Sequence, residues 1–123
     1  MKFARRVLLV AGIYGVVVIV PGYFMEATTG RVFPPPITHP EYYYGFIGVA
    51  LAWQVAFLVI ALDPLRYRPL MIPSALEKLC FAAAVAMLYW QGRVPTAIYG
   101  FAAVDLMFGI LFIVAFVRLG RYA

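Results

Sequence analysis

The stretch "YYGFIGVALAWQVAFLVIAL", Tyr43–Leu62, runs for twenty residues without a charged side chain and with a single amide, Gln54. A bilayer core about 30 Å thick needs about 20 mostly apolar residues per helix. This run therefore reads as a membrane span. Three more flank it, at about 7–25, 74–91 and 97–117. Gly30 and Pro34 to Pro36, then Pro64 and Pro69, then Gly92 and Pro95 separate the four as helix breakers. Within each span the helix satisfies its own backbone groups, as hydrocarbon demands. The expected fold is all-α: one domain over 1–123, an integral membrane four-helix bundle with a loop at 26–42 joining spans one and two.

Composition agrees. The 123 residues are 66% hydrophobic and only 12% charged, far outside the soluble norm. Ten Lys and Arg stand against five Asp and Glu, but singly or in pairs between apolar runs. That scatter forms no basic face, so nucleic acid is not the expected partner. The lipid bilayer is. Lys2, Arg5, Arg6, Arg66, Arg68, Arg118 and Arg121 fall on one side of the spans, Arg31 and Arg93 on the other. The positive-inside rule then predicts both termini in the cytoplasm and the 26–42 loop outside it, as in a bacterial inner (plasma) membrane. No A-x-A cleavage pattern follows the first apolar run, which reads as a retained span.

Chemistry-bearing residues are few. Cys80 is the only cysteine, which excludes an internal disulfide and a cysteine-pair relay. His39 is the only histidine, too few for a His-rich metal site or a bis-histidine haem site. The expectation is no metal and no cofactor. His39 and Glu41 lie in "RVFPPPITHPEYYYGF", which starts at Arg31. Its prolines favour a stiff, polyproline-like path, and Tyr42, Tyr43 and Tyr44 suit an aromatic belt at the headgroups. The simple reading is a stiff anchor. The sharper one places His39 and Glu41 over the bundle mouth as a ligand-binding or proton-handling pair.

Small residues recur at four-residue spacing in Ala11 and Gly15, in Gly48, Ala52 and Ala56, and in Ala82 and Ala86, where they let helix backbones approach. Short loops after spans two and three predict antiparallel neighbours. Pro21 is expected to kink the outer end of span one.

In "PSALEK", Ser74 reads as an N-cap with Glu77 three residues on, a capping box, and Lys78 reads as snorkelling to the cytoplasmic surface. Asp105 has no such account. It lies roughly 12 Å into span four from the outer end, at 1.5 Å per residue. An ionisable group at that depth is a functional candidate by default. Gln54 lies roughly 16 Å down span two by the same rise, so the two could meet. A protonated Asp105 would donate to Gln54; an ionised one would need a cation. The alternative role is interhelical polar glue. Trp53 walls a pocket or packs in the core.

Residues Ile37–Leu79 resemble a signature of small uncharacterised bacterial four-span inner-membrane proteins, and in span count and size the chain is similar to DoxX-like proteins. The stretch covers about a third of the chain. The resemblance implies a four-helix inner-membrane protein and brings no reaction or catalytic residues with it. The chain lacks the first-span carboxylate of small multidrug transporters and the cysteine pairs of vitamin K reductase-like proteins. The leading expectation is a non-enzymatic accessory subunit or a binder of lipid or another hydrophobic ligand, with a membrane-protein partner or a homo-oligomer. The alternatives are an oligomeric proton-coupled small-molecule transporter using Asp105, and a membrane-embedded isomerase or oxidoreductase.

Overall fold

The computed structural model describes residues 1–122, which are helical with irregular links. The helices are α1 (Lys2–Ile19), α2 (Glu26–Val32), α3 (Pro40–Leu62), α4 (Met71–Trp90) and α5 (Thr96–Leu119). Four of them, α1 and α3 to α5, are long and apolar enough to cross a membrane when their terminal 3-10 turns are included. The spans start a few residues earlier than the hydropathy runs suggest. Lys2, Arg5 and Arg6 belong to α1, and Pro40 opens α3.

Local chemistry explains the boundaries. Pro40 takes the first position of α3, where its missing N–H has no partner to lose, and Glu41 favours the helix dipole there. Pro64 ends α3 by excluding Asp63 from helical geometry; Asp63 Oδ1 instead accepts from the Arg66 N–H at 3.3 Å. At the far end of α4, Gly92 adopts φ 71°. Its N–H donates to Tyr89 O at 3.0 Å and that of Arg93 to Leu88 O at 2.8 Å, the Schellman pattern.

Pro21 does not simply kink α1. The chain tightens into a 3-10 turn, Val20–Phe24, and the Gly22 carbonyl accepts from the Tyr43 hydroxyl at 2.7 Å. The 26–42 loop is not an extended polyproline strut throughout. Its first half is α2, whose Gly30 packs so close to Pro36 that an added Cβ would lie 3.0 Å from the Pro36 Cα.

Helix α1 packs mainly on α3, α4 mainly on α5, and α1 against α5 joins the two pairs. Helices α3 and α4 barely touch despite their short link. The expectation that these sequence neighbours pack together is therefore corrected. Side chains of both helices line the space between the pairs, where the Phe46 and Phe81 rings meet at 6.0 Å.

The core fills one end of the bundle. On α1, Ala4, Leu8, Ala11 and Gly15 follow helical spacing and are buried. They face a cluster that includes Phe57, Ile60 and Phe112, with the Phe57 and Phe112 rings 4.9 Å apart and edge to face. Small residues set the closest approaches, though not all of those expected. Gly12 and Gly109 have no room for a Cβ, whereas Ala52 and Ala86 face outward. Large apolar side chains such as Val17, Val49, Leu62, Ile72, Ile110 and Val117 cover the outside, which suits lipid as solvent.

The start of α1 and the end of α5 meet at this filled end, where the Arg118 guanidinium lies 4.4 Å from the Phe3 ring. Two arginines close it by donating to C-terminal helix carbonyls. Arg5 Nε donates to Ala61 O of α3 at 3.2 Å, and Arg68 Nε to Phe116 O of α5 at 2.9 Å. Cations belong at such ends, where carbonyls lack helical partners.

Candidate functional site

The opposite half of the bundle is hollow. A cavity of about 330 Å³ lies among α1, α3, α4 and α5. Thr29, Tyr43 and Ile98 line it near α2 and the start of α5, and Phe46, Phe81 and Phe101 give it apolar walls. Its deep end is polar: Gln54 from α3, Glu77 and Lys78 from α4, and Asp105 from α5.

Lys78 holds that end together. Its side chain is 3% exposed, and Nζ donates to Asp105 Oδ1 at 3.3 Å. Glu77 Oε2 lies 3.9 Å from the same ammonium, within ion-pair range but beyond a hydrogen bond. The ammonium also lies 5.3 Å from the Phe57 ring centroid, a cation–π contact where α3 meets the core. One lysine thus faces two carboxylates from two helices.

These contacts correct three expectations. Ser74 is not an N-cap. The helix already starts at Met71, and Ser74 Oγ donates back to Leu70 O at 2.7 Å. That removes the capping box and leaves Glu77 on the cavity wall. Lys78 does not snorkel, because its position one turn from Ser74 and one from Ala82 points it into the bundle, where Asp105 meets it. Asp105 does not bond Gln54; its partner is the lysine, which arrives from the neighbouring helix and attracts the carboxylate more strongly than an amide does.

Gln54 shares the cavity with Asp105 but is tied to its own helix. Nε2 donates to Ala50 O at 2.9 Å. Its Oε1 and Glu77 Oε2 are the buried side-chain polar atoms without a hydrogen-bond partner among the described residues. Gln54 is fully buried because Gly15 of α1 makes room; a Cβ there would collide with the amide.

The other candidates stand elsewhere. His39 Nδ1 lies 3.3 Å from Glu41 Oε1, and both side chains are exposed at the start of α3, outside the cavity lining. The His39 ring stacks on Tyr42 at 4.8 Å. Trp53 packs against the core, its ring 6.4 Å from that of Phe57, on a different face of α3 from the cavity. No group of three or more His, Cys, Asp or Glu able to hold a metal occurs among the described residues.

Sequence reasoning passed over Glu77 and Lys78 as site members. The signal was present in the 3.6-residue period. Lys78 shares a helix face with Ser74, Ala75, Ala82 and Val85, all small or buried, so it belongs to the side that meets other helices. The chemistry available is that of a sac with greasy walls, a fixed ammonium and a surplus of acceptors. No protein-family model matches the chain, no curated protein matches its sequence and no solved structure matches its fold.

Proposed function

We propose that this chain is a multi-pass protein of a bacterial inner membrane, with both termini cytoplasmic, that binds a lipid-like or other hydrophobic ligand without transforming it. The cavity carries the reading. It is apolar for most of its length, large enough for a small ligand or a single acyl chain, and polar at one end, the usual composition of a ligand pocket. The orientation draws on the basic residues of the filled end, Arg5, Arg68 and Arg118 among them, against Arg31 and Arg93 at the hollow end. A role as an accessory subunit without chemistry of its own fits the same pocket, since ligand occupancy would reach a partner through the exposed helix faces.

Native mass spectrometry from a mild non-ionic detergent tests this. The expected result is a bound lipid-sized mass on the wild-type chain, lost in Ala50→Phe, which fills the cavity from α3. A ligand-free chain, or one whose ligand survives that substitution, sinks the proposal.

A second reading, proton-coupled transport with Asp105 titrating, is favoured by the Lys78–Asp105 pair within the bundle. In liposomes, Asp105→Asn should then retain the fold and abolish pH-driven uptake of the substrate.

A further inference from the structure

The polar floor says which end of which ligand it takes. On one side of the balance stand Glu77 and Asp105; on the other stands Lys78 alone, 3.9 Å and 3.3 Å from them. No second lysine or arginine lines the cavity among the described residues. With all three ionised, one negative charge is left without a countercharge, in a low-dielectric setting where that is costly.

The hydrogen-bond balance tilts the same way. Gln54 is fully buried and its Oε1 has no donor; Glu77 Oε2 has none either. Gln54 Nε2 bonds Ala50 O, Lys78 Nζ bonds Asp105, and the Tyr43 hydroxyl, nearer the outer end, bonds Gly22 O; the Tyr14 hydroxyl also lines the cavity, but neither it nor the remaining Lys78 N–H groups bond Gln54 Oε1 or Glu77 Oε2. The charge imbalance and the unpartnered Gln54 Oε1 are separate observations, and both call for an incoming cationic donor.

From this we infer that the cavity selects an amphiphile with a protonated amine as its head, the ammonium at Glu77 and Gln54 and the tail along Phe46, Phe81 and Phe101. The ammonium supplies the missing positive charge and has three donors for the two unpartnered acceptors. An anionic head would meet Glu77 and Asp105 around the one lysine. An alcohol would satisfy an acceptor but leave the charge uncompensated. The aromatic walls favour the same choice, since a cation passing their faces is attracted by the ring quadrupole.

This inference rests on the cavity being a ligand site, and one experiment separates the two claims. The probes are octylamine, 1-octanol and octanoate, with equal chain lengths and different heads. Each is titrated into the purified full-length protein in non-ionic detergent at neutral pH, and binding is read by native mass spectrometry. The expected order is amine first, tighter than alcohol by about tenfold or more, as for hydrogen bonds to charged groups, with octanoate weakest. Glu77→Gln should reduce the amine to the level of the alcohol. The wild-type comparison alone decides the sign, so a variant that fails to fold does not remove the test. Equal binding of amine and alcohol, or tightest binding of octanoate, overturns the ammonium preference while the hydrophobic pocket stands. Binding of none of the three overturns both.

Discussion

Lys78 of α4 and Asp105 of α5 meet at 3.3 Å inside the bundle, on the floor of its cavity. The pair joins two helices that already pack closely, and Glu77 extends it toward the cavity wall. Because the two carboxylates share one ammonium, removal of the three charges should not be symmetrical. Lys78→Met leaves two carboxylates without a cation and should cost about 3–5 kcal/mol, the range for breaking a buried pair from one side. Asp105→Leu leaves Lys78 with Glu77 and should cost less. Asp105→Asn, which keeps an acceptor for Nζ, should cost least. Unfolding of the three variants in one mild detergent, followed by circular dichroism, gives the order. Equal stabilities would mean that the pair holds nothing together.

Gly15 and Gln54 form a second coupled pair across α1 and α3. A Cβ at residue 15 would occupy the space of the Gln54 amide. Gly15→Ala should destabilise by about 1–3 kcal/mol, the usual cost of overpacking. Adding Gln54→Ala should recover part of that loss, because the collision partner is gone. Additive losses in the double variant would show that the two positions do not compete for space.

Arg68 holds the end of α5 in two ways. Nε donates to Phe116 O at 2.9 Å while the guanidinium lies 3.9 Å from the Phe116 ring. A lysine cannot both stack as a plane and donate sideways. Arg68→Lys should therefore lose nearly as much thermal stability as Arg68→Met, about 1–2 kcal/mol for a charged hydrogen bond and its stacking. Full rescue by lysine would show that charge alone matters at this site.

Cys80 tests the spans and their direction. It faces outward from α4, nine residues after Met71, or roughly 13 Å along the helix. In intact cells a membrane-impermeant maleimide should leave it unlabelled. Placed in a Cys80→Ser background, Arg93→Cys should react from outside, and Arg66→Cys only after the membrane is opened. The reverse pattern would invert the proposed orientation.

Much of this architecture is legible in the residues alone. Apolar runs such as Tyr43–Leu62 bounded by Pro and Gly mark the four spans, since length against hydrocarbon thickness is a local property of the chain. Asp105 also stands out from its own run, because its depth needs only a count of residues. Other features depend on which helices meet. That Ser74 bonds back into α4 instead of capping it follows from the helix starting at Met71, after the 3-10 turn at Arg68–Leu70. That Lys78 finds Asp105, twenty-seven positions away, follows from α4 packing on α5. That the filled and hollow halves differ follows from helix pairing, in which α3 packs on α1 and α4 on α5 with little contact between α3 and α4. Hydropathy is summed along a chain and fixes what enters the membrane. Partner choice among buried charges is settled across helices, where the nearest opposite charge in space outweighs the nearest cap in sequence, and only the tertiary structure decides it.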